Sequence, residues 1–335
     1  MTAPAHQPMG RIAVIGAIMV DHLLPYGHAE WTTSYGGILY NTLRLAPLVS
    51  PWGQVAPVAW IGAAHHPEVV RILAQWPNVD AGRLLVHDDG SDENVLRFTS
   101  PTEREETMTR RCPALPRERL AELAAFDWVH FNCITQRELS AQDLAWLRGR
   151  VRGVLSMDLH NRAARFDEAG RLSSGPFTDW REWIGSVDVV QMNEHECASI
   201  LERQPEREED FCAALATLID CGPREAVITW GPRGSFLAWR EGEERRWARI
   251  PPTRHPAVDT TGCGDSFSAA YQSRRLAGEH PVRAALFASA VSGWNATQTG
   301  LFDAGDVSRF DAILHEHLGT AVERFEAGWR GETLP

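Results

Sequence analysis

The sequence predicts an α/β protein built on a mainly parallel sheet. Short apolar, strand-like runs alternate with helical patterns along most of the chain, which is the arrangement of repeated βαβ units. The 335 residues suffice for one large α/β domain or two average ones. No internal repeat, low-complexity tract or long linker divides them, so a single domain over 1–335 is expected.

Strands are expected at Ile12–Ile15, Val58–Ile61, Trp128–Phe131, Val154–Met157, Val187–Gln191 and Ala226–Trp230. Helices are expected at Ile38–Leu48, Pro67–Gln75, Arg117–Ala124, Ala141–Arg148, Glu194–Leu201 and Glu209–Ile219, then at Asp265–Leu276, Val282–Thr297 and Ser308–Leu318. Two stretches, 21–35 and 83–111, fit this scheme poorly. The second alternates polar and apolar residues (Val95, Arg97, Thr99; Glu106, Met108, Arg110), as exposed antiparallel strands do.

Candidate binding residues follow the ends of these strands. Asp21 lies just beyond Ile12–Ile15, and ligands of open α/β sheets sit outside the carboxyl ends of strands. Its carboxylate can accept bonds from two neighbouring hydroxyls, although a turn-forming aspartate would look the same. Gly36-Gly37 precedes a helix, lets backbone amides approach a ligand, and has Asn41 about one helical turn further on. Asp158-Leu159-His160-Asn161-Arg162 ends another strand; Arg162 suits a phosphate or acid group, or equally a structural ion pair. Asn193 and Glu196 lie on one helical face and also have the spacing of a capping box. Thr229-Trp230-Gly231-Pro232-Arg233-Gly234 reads as a glycine loop open to a ligand or as a hairpin turn.

The most informative string is Asp259-Thr260-Thr261-Gly262-Cys263-Gly264-Asp265-Ser266-Phe267. Its glycines allow a tight turn into a helix whose first amides lack intrahelical acceptors. The amides of Gly262, Cys263 and Gly264 can then face an anion at the positive end of the helix dipole. Asp265 stands beside that anion, where a base suits proton removal from a hydroxyl during phosphate transfer. Cys263 reads as a small residue that fits the turn rather than as a nucleophile.

Composition narrows the chemistry. All 33 basic residues are arginine, so a Walker A lysine, a protein-kinase lysine and Schiff-base chemistry are excluded. A net charge of −11 disfavours nucleic acid as a partner. Six scattered cysteines without a Cys-x-x-Cys pair suit a reducing compartment and argue against zinc. With no apolar span of membrane length and no signal pattern, a cytoplasmic location is expected.

The nine-residue string resembles the C-terminal signature of the ribokinase/PfkB family of carbohydrate and nucleoside kinases, with Cys263 where alanine is usual. Gly36-Gly37-x-x-x-Asn41 resembles the family's first signature, but Ile38, Leu39 and Tyr40 replace its usual small residues. Asp158–Arg162, Asn193–Glu196 and Thr229–Gly234 are similar to further family motifs, His160 standing where asparagine is usual. The resemblance implies a ribokinase-like three-layer α/β/α sandwich, with 21–35 and 83–111 forming a small β-sheet lid. It implies transfer of the γ-phosphate of ATP to a hydroxymethyl group of a carbohydrate, with Asp265 as base and Gly262, Cys263 and Gly264 cradling the transferred group. Asp21, Gly37, Asn41 and Arg162 would bind the acceptor, and Asn193, Thr229, Gly231 and Gly234 the nucleotide. Glu196 would order Mg2+ through water, since magnesium keeps several waters, and Asp259, Thr261 and Gly300 would hold a monovalent cation, K+. Homodimerisation through the lid is also implied. Alternatives are a nucleoside kinase of the same family and a non-catalytic binding protein on the same fold. A dinucleotide oxidoreductase is disfavoured, because Phe267 stands where its third glycine belongs.

Overall fold

In the strand Gly10–Ile15, Ile12 and Val14 face one helical layer while Ala13 and Ile15 face the other, and all four are fully buried. Apolar residues on both faces mark a strand covered on both sides. The computed structural model describes residues 10–50, 52–100, 104–300 and 307–334. Among these, nine strands form the main sheet. From one edge its order is Gly53–Val58, Gly10–Ile15, Trp128–Asn132, Val154–Asp158, Val189–Asn193 and Glu225–Thr229, all parallel. Ser235–Glu241, Glu244–Ile250 and Glu332–Thr333 then continue it antiparallel.

Helices Ile38–Val49, Cys263–Leu276, Pro281–Asn295 and Ser308–Glu326 pack on one face. Arg117–Ala121, Ala141–Arg148, Trp180–Ile184 and Glu208–Cys221 pack on the other, which completes three layers. A second, four-stranded sheet has the order Thr32–Tyr35, Met19–Leu24, Asp92–Phe98, Arg104–Arg110. It joins the two stretches that fitted the alternating pattern poorly. Positions 101–103 of the second stretch lie outside the described residues, as do both ends of the 1–335 span. Asp92–Phe98 and Arg104–Arg110 pair antiparallel as expected, whereas Met19–Leu24 and Asp92–Phe98 pair parallel.

The expected strand Val58–Ile61 is two strands. Gly53–Val58 is an edge strand of the main sheet, where Pro57 can be tolerated without a ladder donor. Trp60–Gly62 pairs instead with Leu85–His87. The expected helix Arg117–Ala124 is α-helical only to Ala121 and 3-10 from Glu122 to Ala125. Strands Ser235–Glu241 and Glu244–Ile250 and the helix Trp180–Ile184 had no counterpart in the sequence reading.

Candidate active site

The parallel strands end in a row of polar residues. Asn132 is level with Asp158, Asp158 with Gln191, and Asn193 with Thr229. Apolar strand interiors thus give way to side chains that can contact a ligand at the carboxyl edge of the sheet.

The helix Cys263–Leu276 points its N-terminus at this row. Gly262 is its N-cap with φ 72°, a left-handed conformation that glycine adopts without strain. Asp265, in the first turn, is 9% exposed. Its Oδ1 accepts a bond from Asn132 Nδ2 at 2.7 Å. Gln191 Nε2 bridges Asp158 Oδ2 and the Gly264 carbonyl, both at 2.9 Å, and so ties the sheet edge to the turn. The Cys263 amide donates to the Thr260 carbonyl at 3.2 Å rather than standing open to an anion.

Burial, the neighbouring Asp158 carboxylate and the opposing pull of Arg44 leave the Asp265 carboxyl raised to about 8. Burial likewise raises Asp158 to about 7, against hydrogen bonds from His160 and Gln191 that favour its charged form. Glu196 is pushed well above its usual range by burial and by the charges of Asp158, Glu194 and Asp265. Asp158, Glu196 and Asp265 carry hard carboxyl oxygens, the donor type that magnesium accepts. Among the described residues no group of three His, Cys, Asp or Glu side chains is arranged to hold a metal ion.

Asn193 and Glu196 form the capping box in full. Asn193 Oδ1 accepts from the His195 and Glu196 amides at 2.9 Å each, and Glu196 returns bonds to the Asn193 amide at 2.9 Å and to Asn193 Nδ2 at 2.7 Å. Beside it, Gly231–Arg233 is a 3-10 turn in the hairpin from Glu225–Thr229 to Ser235–Glu241. Gly231 and Gly234 both have positive φ, and a Cβ on Gly234 would lie 2.2 Å from the Ile250 carbonyl oxygen. The segment thus forms the turn of a hairpin, with Thr229 at its base. Trp230 packs on Phe211, ring centroids 4.8 Å apart, and Trp294 on Phe310 at 5.3 Å.

Asp21 sits in Met19–Leu24 of the second sheet, directly beyond the first strand. A Cβ on Gly36 would lie 2.8 Å from its Oδ2, and one on Gly37 would lie 2.1 Å from the Ala17 carbonyl oxygen, so close approach of the backbone requires a glycine at 37. Asn41 is engaged at one end only, since its buried Oδ1 has no hydrogen-bond partner among the described residues. It is fully buried, and its Nδ2 donates to Ser268 Oγ at 2.7 Å and to the Asp265 carbonyl at 3.3 Å. Its amide nitrogen holds the Asp265 helix rather than facing an open pocket. One turn on, buried Arg44 does the same through Ser266 Oγ at 3.1 Å and Asn295 Oδ1 at 3.0 Å.

Arg162 takes the structural alternative: it pairs with Asp179 at 3.0 Å and lies over the Trp183 ring at 4.5 Å. Cys263 is half-hidden, with Asn295 Nδ2 3.4 Å from its sulfur, and burial raises its thiol above the ordinary value. That agrees with a packing role. Asp259 Oδ1 accepts from the Thr261 amide at 2.9 Å, and the Thr261 carbonyl accepts from Asn295 at 2.9 Å. No hydrogen bond joins Gly300 to either among the described residues, and the chain after it, 301–306, lies outside them.

The sequence reading did not single out Asn132, Gln191 or Arg44, and it gave Asp158 no role. A signal existed for the first two, since each is a polar residue closing an apolar strand. Arg44 lies three residues after Asn41, on the same helical face, but nothing local marks it as buried.

Comparison with known proteins identifies the family and the fold. The model of the pfkB family of carbohydrate kinases matches residues 9–304. A ribokinase of Arabidopsis thaliana is 30% identical over 111 residues, which are 33% of this chain and 29% of the relative. A nucleoside kinase of Methanothermobacter thermautotrophicus is 28% identical over 150 residues, 44% of this chain and 40% of the relative. The aligned regions thus span less than half the length of these curated relatives. Among solved structures, Arabidopsis thaliana ribokinase in complex with ribose and ATP superposes with a TM-score of 0.72 at 19% identity, covering 92% of this chain and 99% of that one. Ribokinase from Thermotoga maritima gives 0.70 at 15% identity, covering 91% and 99%. A pyrophosphate-dependent kinase of the ribokinase family gives 0.69 at 17% identity, covering 86% and 96%. These likenesses establish a ribokinase-like fold.

Proposed function

The chain belongs to the pfkB family of carbohydrate kinases, and on that premise we propose that it transfers the γ-phosphate of ATP to a hydroxymethyl group of a carbohydrate. The observation that carries this reading is the position of Asp265: buried at the head of the helix that follows the Gly262 turn, bonded to Asn132, and beside Asp158. A carboxyl raised to about 8 is a better proton acceptor near neutral pH than an ordinary aspartate. Asp265 takes the hydroxyl proton, and Asn132 keeps the carboxylate turned toward it. The amides of Gly262 and Gly264 stabilise charge growing on the transferred group, a kind of contribution often worth about 3–4 kcal/mol per donor. Because the Cys263 amide is engaged by Thr260, it contributes only if that turn opens.

Asp21 and the Gly36-Gly37 backbone hold the acceptor, while Asn41 and Arg44 act indirectly by fixing the Asp265 helix. The nucleotide lies along Asn193, Thr229 and the Gly231–Gly234 turn. Glu196 with Asp158 would hold Mg2+ through its waters, and the metal would offset the charge of the donor phosphates. A K+ site at Asp259, Thr261 and Gly300 belongs to this reading. The second sheet acts as a lid that excludes water as a competing acceptor. The loop that joins Met19–Leu24 to Thr32–Tyr35 carries exposed Tyr26 and Trp31, apolar surface that suits pairing of two copies.

The test is a screen for phosphoryl transfer with Mg2+ and K+ over sugars and nucleosides, with ATP and pyrophosphate as separate donors. Pyrophosphate is included because pyrophosphate-dependent kinases share this fold. Transfer to a sugar from ATP supports the reading, and absence of transfer with every pair would leave a non-catalytic binding protein.

A further inference from the structure

Tyr40 stands across the path between the two ends of the proposed acceptor site. At one end, a Cβ built on Gly36 would lie 3.3 Å from Tyr40 Cε2 and 2.8 Å from Asp21 Oδ2. At the other, a Cβ on Gly262 would lie 2.7 Å from Tyr40 Cδ1 and 3.1 Å from its Cγ. One aromatic ring therefore reaches from beside the polyol-binding carboxylate to the turn that precedes Asp265. Ile38 and Leu39 do not share this position. Both are fully buried in the core, and Ile38 Cγ2 would meet a Cβ on Gly16 at 2.4 Å.

The backbone that carries the ring is also held in place. Tyr40 donates its amide to the Gly37 carbonyl at 3.1 Å, in the first turn of the helix. Its neighbour Asn41 is bonded to Ser268 at 2.7 Å, and Arg44 to Ser266 at 3.1 Å. Moving the Tyr40 backbone away would break those contacts, so an acceptor fits beside the ring or turns it about its own side-chain torsions, at a cost that grows with the acceptor's bulk.

We infer that Tyr40 is the specificity-determining wall of the acceptor pocket, and that it restricts the acceptor to a single-ring or open-chain polyol, disfavouring one with a second ring system such as a nucleoside. The inference rests on the kinase reading above. An acceptor bridging Asp21 and Asp265 has to run along the ring, which offers a flat apolar face to the C–H side of a sugar. A larger acceptor meets a wall of close-packed atoms, and such walls discriminate steeply against added bulk.

The test compares the unmodified protein with Tyr40→Ala and Tyr40→Phe, by kcat/KM over monosaccharides, acyclic polyols and nucleosides. The unmodified protein should favour single-ring or open-chain acceptors over nucleosides by at least about tenfold, the order of discrimination that pocket size supplies. Tyr40→Ala should reduce that ratio at least about tenfold, Tyr40→Phe should preserve it, and the donor KM should stay within about twofold in both. Should Tyr40→Ala fail to fold, Tyr40→Leu removes the ring with less loss of apolar volume and carries the same expectation. An unmodified protein that prefers nucleosides would overturn the inference. So would a ratio unchanged by loss of the ring, or equal losses over the whole panel, and in these cases the kinase reading survives. Failure of the unmodified protein to phosphorylate any acceptor would overturn that reading and this inference with it.

Discussion

Asn132 Nδ2 lies 2.7 Å from Asp265 Oδ1, joining the end of a central strand to the head of the helix that carries the proposed base. A neutral amide donor orients a carboxylate and moderately favours its charge. It does not offset burial and the Asp158 carboxylate, so Asp265 remains raised to about 8. An arginine in place of Asn132 would hold the carboxylate ionised but make it a weaker base.

The first prediction is the pH dependence that follows. In kcat/KM, activity should rise with pH through about 8, because Asp265 must be unprotonated to accept a proton. Asp158→Asn removes a charge that raises Asp265 and should move this limb to lower pH. Asp265→Asn should lose about 10²–10⁴-fold in transfer while still binding nucleotide. Stability supplies a separate readout. The native state holds a proton that the unfolded chain releases between about 4 and about 8, so this group's contribution to stability falls as pH rises through that window. The melting temperature of Asp265→Asn should therefore gain on that of the unmodified protein from pH 4 to pH 8. A constant difference would count against the raised carboxyl.

Glu196→Gln separates metal ordering from capping. A glutamine oxygen can still accept from the Asn193 amide, but its NH2 would then face Asn193 Nδ2, so the capping box is weakened and the melting temperature should fall modestly. The Mg2+ concentration for half-maximal rate should rise severalfold, with little effect on acceptor KM. An unchanged Mg2+ dependence would leave Glu196 with the cap alone.

Asp21→Ala tests the acceptor site. Loss of a charge-assisted hydrogen bond costs roughly 1.5–3 kcal/mol, so acceptor kcat/KM should fall at least about tenfold. Any slow donor hydrolysis without acceptor should persist. Parallel loss of both activities would mean that Asp21 supports the second sheet and not the acceptor.

Gly262→Ala should be impaired twice over. A left-handed φ of 72° costs a non-glycine residue about 1–2 kcal/mol. The new methyl would also sit 2.7 Å from Tyr40 Cδ1. In urea unfolding, Gly262→Ala combined with Tyr40→Ala should be less destabilised than the sum of the two single variants, since removing the ring relieves the clash. Strict additivity would place the ring elsewhere.

Much of the fold was legible before any coordinates. Parallel strands announce themselves because burial on both faces demands continuous apolar runs, as in Ile12–Ile15 and Val154–Met157. Helix limits such as Ala141–Arg148 and Glu194–Leu201 were read correctly because Ser140 and Asn193 supply local caps. Edge elements escaped. Gly53–Val58 contains Gln54 and Pro57, a pattern an edge strand tolerates and a central one does not, and Glu244–Ile250, next to the two-residue edge strand Glu332–Thr333, carries Arg245, Arg246 and Arg249.

The sequence by itself determined the α/β class, the family resemblance and the Gly262–Asp265 turn, because these depend on patterns that are local or contiguous. Tertiary structure alone decided which polar groups meet. Asn132 and Asp265 are 133 positions apart and Asn41 and Ser268 are 227 apart, and no local propensity reports such pairings. It turned Asn41 inward, gave Arg162 to Asp179, and placed Tyr40 between Gly36 and Gly262. The first and last depend on the packing of helices that are distant in sequence, and the Arg162–Asp179 pair on a segment that folds back over 17 positions. A side chain's role is set by which neighbours claim its hydrogen bonds and volume, and the chain acquires those neighbours only on folding.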